Sequence, residues 1–314
     1  MWGFSKTDIT RIENFGYERL DFRSKDLLKI IDQSKIKFLP KYIPSDGIYN
    51  RGFKNIGILD GTSHFIELFK VKKIKKKKDC KYLNISSNDL FSLIHAGSGD
   101  IGRIFHHYVL EKNVNNVIPH SKLGKLIKNF YLAASNYGFV NRLYIYKKIK
   151  KAISSNIQSQ KVNIFSDLPH DYLDIDKKNK IFYHKKGVVK ILPKSKFSSK
   201  NRWSKTGTPY ILPSHPGGDA YLMINKKGNN LSSFSLNHGM GRVLSKEEAG
   251  KKIKSFKIKS FKNRTFQMFR YYKDNINTQS PKSFKNEKII LKSIKDNKLA
   301  DNIAVFESLA TLKA

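Results

Sequence analysis

The chain has 314 residues, of which 39% are hydrophobic, and this is enough for one large domain or two smaller ones. Its 61 lysines and arginines against 25 acidic residues give a net charge of +36, which favours an anionic partner such as nucleic acid or a membrane surface. The single cysteine excludes an intramolecular disulfide and suits the cytoplasm. The N-terminus does not resemble a signal peptide, and no apolar run approaches the roughly 18 residues that span a bilayer, so we expect a soluble protein.

The first quarter of the chain contains one helical pattern and one strand. Residues 1–55 mix short apolar runs with charges, and the spacing at 26–32 predicts a helix. Residues 56–69 read as a Gly/Thr/Ser turn that leads into a short apolar strand. His64 lies at this turn and Glu67 lies inside the strand, where a buried carboxylate needs a partner because burying an unpaired charge is costly.

A lysine-rich run follows, with eight lysines between Lys70 and Lys81. We interpret it as an exposed hairpin tip or loop between two strands, either a solvated face or a surface that contacts phosphates. The high lysine, isoleucine and asparagine content is also typical of AT-rich codon usage, so part of the charge reflects composition rather than binding.

The next segments predict a strand and two helices. Residues 89–102 read as an apolar strand that ends on His95, followed by a Gly/Ser turn that opens a helix at 101–110. His106 and His107 are interpreted as surface residues of that helix. Apolar residues recur at spacings of three and four over 123–153, which predicts a long amphipathic helix.

Two further histidines stand at turns in the middle of the chain. His170 lies in the turn at 167–171, and His184 ends a strand predicted to begin at residue 181, with two lysines and Gly187 after it. Residues 197–209 are interpreted as a polar loop.

Two glycine-rich turns and a basic region complete the chain. Residues 210–223 predict a strand, a Pro/Gly turn and a second strand, and 251–285 interleave aromatic residues with cations. That interleaving suits RNA contact, although an amphipathic helix at 264–273 explains it equally well. The tail at 301–314 is interpreted as a helix or a strand.

The turn at 237–242 has the spacing of an anion-binding loop. Its two glycines, Gly239 and Gly241, allow a ligand to approach the backbone closely, and Arg242 offers a guanidinium that suits phosphate. His238 could attack or transfer a proton there. An ordinary surface loop would show the same short pattern.

Six of the nine histidines share one placement, at the end of an apolar segment beside a turn rich in Gly, Ser or Pro. Imidazole nitrogens suit Mn, Zn or Fe when several converge, whereas a structural role for any single histidine stays open. These histidines are His64, His95, His170, His184, His215 and His238.

Eight segments, in order along the chain, resemble motifs of the RtcB family of RNA-splicing ligases. Ser63-His64-Phe65-Ile66-Glu67 is similar to the family's Asn-His-Phe-Ile-Glu, and His238-Gly239-Met240-Gly241-Arg242 is similar to its His-Gly-Ala-Gly-Arg. The segments are Gly61–Glu67, His95–Gly102, Tyr137–Arg142, Asp167–Asp171, His184–Gly187, Pro213–Tyr221, His238–Arg242 and Leu309–Ala314.

The resemblance implies an α+β fold. We expect one RtcB-like domain over residues 1–314, with central β-sheets flanked by helices. Residues 1–55 would form a divergent N-terminal part, and residues 56–314 would carry the motifs.

The resemblance also implies a GTP- and Mn²⁺-dependent RNA ligase. His238 would attack GTP and hold GMP as a phosphoramidate, and the guanylate would pass to an RNA 3′-phosphate obtained from a 2′,3′-cyclic phosphate. A 5′-hydroxyl would then displace GMP and join the strands, in tRNA splicing or RNA repair. Implied partners are RNA (tRNA halves or cleaved RNA) and GTP, and the expected state is a monomer or a chain completed by another chain.

The implied site residues fall into two groups. The manganese ligands, for two ions in the family, would be His64, His95 and His170. Residues in contact with GTP or GMP would be Ser63, His64, Phe65, Ile66, Glu67, His170, Asp171, Pro213, Ser214, His215, Pro216, Ala220, His238, Gly239, Met240, Gly241 and Lys313.

The sequence departs from the family's pattern at its metal ligands. The family's Asp-x-x-Cys segment, which supplies a carboxylate and a bridging thiolate, is not found, and Cys80 lies in the lysine run. We therefore expect a chain that begins after that segment and binds metal weakly. Ser63, Asp171, His215 and Ala220 also differ from the family's residues.

Two other functions remain open from the sequence. One is a degenerate, non-catalytic RNA-binding protein on the same fold. The other is a metal-dependent phosphatase or nuclease that uses the three remaining histidines.

Overall fold

The structure is a computed structural model that describes residues 56–59, 64–99, 102, 118, 121–156, 162–176, 181–254, 256, 265–268 and 276–313. The predicted helix at 26–32, nearly all of that at 101–110, and Ser63 lie outside these residues. Contacts divide the chain into two compact units. The first contains Met1–Asp60 and Ala96–Lys186, and the second contains Gly61–His95 and Gly187–Ala314.

Strands and helices both occur, as the α+β prediction requires. The strands are β1 (Phe65–Ile74), β2 (Leu90–His95), β3 (Asp171–Asp176), β4 (Ile181–Lys186), β5 (Val188–Lys190), β6 (Tyr210–Pro213), β7 (Ala220–Asn225), β8 (Ser235–Asn237), β9 (Thr265–Met268) and β10 (Ala300–Lys313). The helices are α1 (Lys77–Tyr82), α2 (Lys122–Asn156), α3 (Lys246–Lys252) and α4 (Glu287–Asp296). No helix among these residues is long and apolar enough to cross a membrane.

The second unit is built on a sheet with the order β2-β1-β10-β7-β6, in which β9 also pairs with β10. The tail left open as helix or strand is therefore a strand. Antiparallel pairing of β10 with β1 runs from Phe65 opposite Lys313 to Ile74 opposite Ala304. Along the other edge of β10, β7 covers its first half and β9 covers its end in a parallel pairing.

The core of this unit lies on the strands around β10. Phe69, Leu212, Leu222, Ile303 and Phe306 have no exposed surface. The Phe306 ring also stacks on Phe91, with ring centroids 4.6 Å apart. Burial of these side chains stabilises the sheet by roughly 1.5–3 kcal/mol each.

The lysine-rich run differs from the predicted hairpin tip. Its first half continues β1 as far as Ile74, and its second half forms α1. The reason is that Cys80, Leu83 and Ile85 are buried beneath the run, so apolar contacts hold it against the sheet.

Two other segments add detail to the sequence interpretation. The segment at 197–209 is a loop, as predicted, but Trp203, Thr206 and Thr208 in it are buried. Thr265–Met268 is a strand rather than part of a helix at 264–273, because pairing with β10 overrides the local helical pattern.

The first unit combines a long helix with a hairpin. Helix α2 confirms the periodicity at 123–153, and Tyr137, Phe139 and Val140 on it are buried. Strands β3 and β4 pair antiparallel, and β3 packs against α2.

Candidate active site

Three neighbouring strands of the second unit place His95, Phe65 and Lys313 in one row. Phe65 on β1 lies opposite both His95 on β2 and Lys313 on β10. Directly opposed residues of antiparallel strands point to the same face of a sheet, so the three side chains share one face. The Phe65 ring stacks on His95 with centroids 5.0 Å apart, and Lys313 Nζ lies 5.6 Å from the Phe65 centroid.

His64 and His238 join this row through His95. The ring centroids of His64 and His95 are 5.7 Å apart, and those of His95 and His238 are also 5.7 Å apart. One ring nitrogen of His95 and one of His238 lie within 4.8 Å of each other. The second unit therefore brings together three of the histidines that the sequence singled out.

The ring of His238 is fixed by the backbone. The Nδ1 atom of His238 lies 2.7 Å from the carbonyl oxygen of Gly187, and the backbone N–H of His238 donates to the same oxygen at 3.2 Å. A carbonyl can only accept, so Nδ1 carries a proton, and in the neutral form of the ring the lone pair then lies on Nε2. Nε2 is consequently the nitrogen that can act as a nucleophile.

The glycine-rich turn after His238 is tied down at several points. Asn237 Nδ2 donates to the Gly239 carbonyl at 2.8 Å, and Met240 N–H donates to the Pro213 carbonyl at 3.2 Å. The Met240 side chain is buried. Gly241 has a φ of 77°, which a side chain would strain.

Arg242 anchors this turn, which differs from the phosphate contact suggested by its sequence position. Its Nε donates to the Leu244 carbonyl at 2.9 Å, and its Nη2 donates to the Thr278 carbonyl at 2.7 Å. The guanidinium also lies 4.7 Å from the Phe284 ring centroid. Two of its donor atoms are thus engaged by main-chain oxygens.

The turn between β6 and β7 is closed by its own hydrogen bonds. Ser214 donates to the Asp219 carbonyl through both its backbone N–H, at 3.2 Å, and its Oγ, at 2.6 Å. His215 Nδ1 lies 3.1 Å from the Pro216 carbonyl. A Cβ at Gly218 would clash with Ser214 Oγ and with the His215 ring, so a larger residue there would require both side chains to shift.

The Glu67 carboxylate joins the β6–β7 turn to the sheet through hydrogen bonds. Glu67 is 1% exposed, and its Oε1 accepts from Gly217 N–H at 2.9 Å, Ser308 Oγ at 2.5 Å and Thr311 Oγ1 at 3.1 Å. The expected partners of the buried carboxylate are therefore present, on β10 and in the β6–β7 turn. Hydrogen bonds to a charged group contribute about 1.5–3 kcal/mol each.

Cations gather at the end of β10. Burial, together with the nearby charges of Lys246 and Arg242, lowers the pKa of Lys313 to about 8, and Glu67 only partly offsets this. Burial and Arg242 also lower the pKa of Lys246. Such a set of cations favours an anionic ligand, which would relieve their mutual repulsion.

The first unit holds His170, Asp171 and His184. His170 directly precedes β3, and its Nδ1 lies 3.5 Å from Oδ2 of Asp171, the first residue of that strand. On β4, His184 Nε2 lies 2.7 Å from the Tyr131 hydroxyl of α2.

The structure also places three other residues that the resemblance predicts to contact GTP or GMP. Ile66 follows Phe65 on β1 and points to the opposite face, so its side chain does not join the row. Ala220 is completely buried and presents only a methyl group. Pro213 meets the His238 turn through its carbonyl oxygen.

Three residues that the sequence analysis did not assign take part in the site. Ser308 and Thr311 hold Glu67; Thr311 lies inside the Leu309–Ala314 segment, whereas no motif covers Ser308. Gly187 could have been found, because it closes the His184–Gly187 segment and has a φ of 70°.

Comparison with known proteins identifies the family. Residues 14–314 match the family described as tRNA-splicing ligase RtcB, so the chain belongs to the RtcB family. The tRNA-splicing ligase RtcB of Nanoarchaeum equitans is 26% identical over 98% of this chain and 66% of its own length. That of Methanocaldococcus jannaschii is 26% identical over 72% of this chain and 26% of its own length. The RNA-splicing ligase RtcB of Mycobacterium bovis is 24% identical over 66% of this chain and 52% of its own length. The chain thus spans between about a quarter and two thirds of the length of these relatives.

Proposed function

We propose that this chain is a GTP- and Mn²⁺-dependent RNA ligase that acts in tRNA splicing or RNA repair. Membership of the RtcB family and the names of its relatives support this reaction class. The observation that carries the proposal is the orientation of His238, whose Nδ1 proton is held by Gly187 so that Nε2 is the nucleophilic nitrogen.

In the proposed reaction, Nε2 of His238 attacks the α-phosphorus of GTP and pyrophosphate leaves. The resulting phosphoramidate passes GMP to an RNA 3′-phosphate, and a 5′-hydroxyl then displaces GMP as the RNA strands join. The Gly187 carbonyl stabilises the charge that develops on the imidazole during attack. Lys313 and Lys246 offset the negative charge of the nucleotide.

We propose His64, His95 and His170 as metal ligands, because imidazole nitrogens suit a transition metal such as Mn²⁺. A bound ion would act as a Lewis acid on the phosphates. Cys80 does not supply a bridging thiolate in the second unit, because its Sγ donates to the Ile303 carbonyl beneath α1.

The test is covalent labelling with GTP. Incubating the chain with α-labelled GTP and Mn²⁺ should give an acid-labile, alkali-stable adduct that His238→Ala abolishes. His184→Ala is the matched control, since this histidine bonds to Tyr131 and has no role in the proposed step. If no metal gives an adduct, the ligase proposal for this chain by itself is wrong.

A non-catalytic RNA-binding protein is the second candidate, and the net charge of +36 favours it. It predicts salt-sensitive RNA binding that His238→Ala and chelators leave unchanged. A metal-dependent phosphatase or nuclease would instead alter RNA ends without joining them, which analysis of the ends after incubation with metal would reveal.

A further inference from the structure

Five lysines at the far end of β1 form an exposed cluster, which we call the β1 lysine cluster. None of the five joins an ion pair with any residue that the structure describes, whereas Lys70, Lys72 and Lys76 pair with carboxylates. The five are Lys73, Lys75, Lys77, Lys78 and Lys81.

Hydrogen bonds and buried side chains hold the backbone that carries the β1 lysine cluster. The backbone N–H groups of Lys75 and Lys76 both donate to the Ile303 carbonyl, at 2.8 and 3.1 Å. Cys80 is 1% exposed, and Leu83 is buried beside it. The lysine side chains therefore project from an anchored strand end and helix, so a ligand would not have to order the backbone beneath them.

Folding does not explain this concentration of charge. Lys77 and Lys81 lie one turn apart on α1, and like charges at that spacing cost a few tenths of a kcal/mol in a helix. Lys77 and Lys78 also stand in the first turn of α1, where the helix dipole disfavours cations. The charges of the cluster therefore destabilise α1 slightly, and a bound polyanion would relieve this repulsion.

We propose that the β1 lysine cluster binds the phosphate backbone of RNA at a distance from the histidines. Strand β1 has 10 residues, so at about 3.3 Å per residue its two ends are roughly 30 Å apart. An RNA whose end lies at His64 and His238 would therefore have to extend by roughly 30 Å along β1 to reach the cluster.

RNA fits this surface better than a membrane does. A helix that lies on a membrane needs a wide apolar face turned outward, but α1 turns Cys80 inward and presents lysines. Tyr82 is 41% exposed at the end of α1 and offers an aromatic ring on which a base can stack. The choice of RNA as the anion rests on the proposed function, whereas the location of the surface does not.

The experiment measures how RNA affinity depends on salt. The full chain and a variant with glutamine at all five cluster lysines are titrated with an RNA hairpin that has a single-stranded end. Loss of five phosphate contacts should make the slope of log affinity against log salt less steep by about 4. The difference should vanish for RNAs too short to span the roughly 30 Å between the two ends of β1.

A second variant controls for net charge. It replaces five equally charged, exposed lysines elsewhere in the same unit with glutamine, and it should change the slope less. These lysines are Lys194, Lys196, Lys200, Lys251 and Lys252. An equal change in the two variants, an unchanged slope in the cluster variant, or stronger binding of phosphatidylserine vesicles than of RNA would overturn the proposal.

GTP labelling of the same proteins separates the two proposals. If the cluster variant still forms the His238 adduct but loses the salt-dependent RNA affinity, both proposals are supported. If the wild-type chain forms no adduct but the slope changes as expected, the ligase proposal fails and the RNA surface stands.

Discussion

At the scale of single residues, the site holds a lysine in an unfavourable position. Lys313 is buried at the end of β10 near Lys246 and Arg242, which lowers the pKa of its amine from the ordinary 10.5 to about 8. Between about pH 8 and pH 10.5, the Lys313 amine is protonated in the unfolded chain and mostly deprotonated in the folded chain. The free energy of unfolding therefore rises with pH across this window, and below pH 8 the full cost of the buried ammonium is present.

Replacing Lys313 with methionine should remove this dependence. The difference in unfolding free energy between Lys313→Met and the wild-type chain should shift by on the order of 3 kcal/mol between about pH 7 and about pH 10.5, because only the wild-type chain has this amine to deprotonate. Urea unfolding of both chains at each pH measures it. A difference that stays constant with pH would contradict the lowered pKa.

The residues predicted from sequence were those that lie inside motifs. His64, Glu67, His95 and Lys313 could be singled out because each belongs to a segment that resembles the family. The Ser308 hydroxyl that holds Glu67 is 241 positions away along the chain, so no local pattern could reveal it. The contact of Arg242 with the Thr278 carbonyl, 36 positions away, was hidden for the same reason.

At the scale of elements, one asparagine of α2 joins two loops of the first unit. Asn141 Oδ1 accepts from Gly57 N–H at 2.7 Å, and its Nδ2 donates to the Gly97 carbonyl at 3.0 Å. The residue is 4% exposed. Its amide therefore serves as both an acceptor and a donor between segments that do not pair with each other as strands.

Asn141→Asp should destabilise the chain by about 2–4 kcal/mol, because it keeps the acceptor but sets a buried carboxylate against the Gly97 carbonyl. Chemical unfolding monitored by circular dichroism measures the loss. Asn286→Asp is the matched control and should be nearly neutral, since Asn286 accepts Lys288 N–H as the N-cap of α4 and aspartate caps equally well. Equal effects of the two substitutions would contradict the role of Asn141.

Strongly periodic elements were predictable, and elements decided by distant pairing were not. The pattern at 123–153 determined α2 almost completely, because an amphipathic helix is encoded locally. The tail was ambiguous between helix and strand until pairing with β1 decided it. The sequence left 264–273 open between an RNA-contacting segment and a helix, and it did not reveal the strand Thr265–Met268, because that conformation depends on β10.

At the scale of the whole molecule, the net charge of +36 opposes folding through self-repulsion. Raising the ionic strength from about 0.01 to about 0.15 M shortens the Debye length from about 30 to about 8 Å, which screens this repulsion. We therefore expect the thermal unfolding midpoint to rise with added NaCl. Differential scanning calorimetry over a salt series measures it.

The variant with five glutamines in the β1 lysine cluster provides the comparison, because it carries five fewer positive charges. Its unfolding midpoint should depend less on salt than that of the wild-type chain. A wild-type midpoint that is flat or falls over the series would show that attractive ion pairs outweigh the repulsion.

The position of β10 has a consequence for folding during synthesis. This strand occupies residues 300–313, yet it pairs with β1 at residues 65–74 and separates β1 from β7 in the sheet. The ribosome must release most of the chain before β1 meets that partner, so the contact order is high and folding is expected to be slow. The unpaired edge of β1 is an aggregation hazard in the meantime, and a chaperone that shields nascent strands should raise the yield of folded protein.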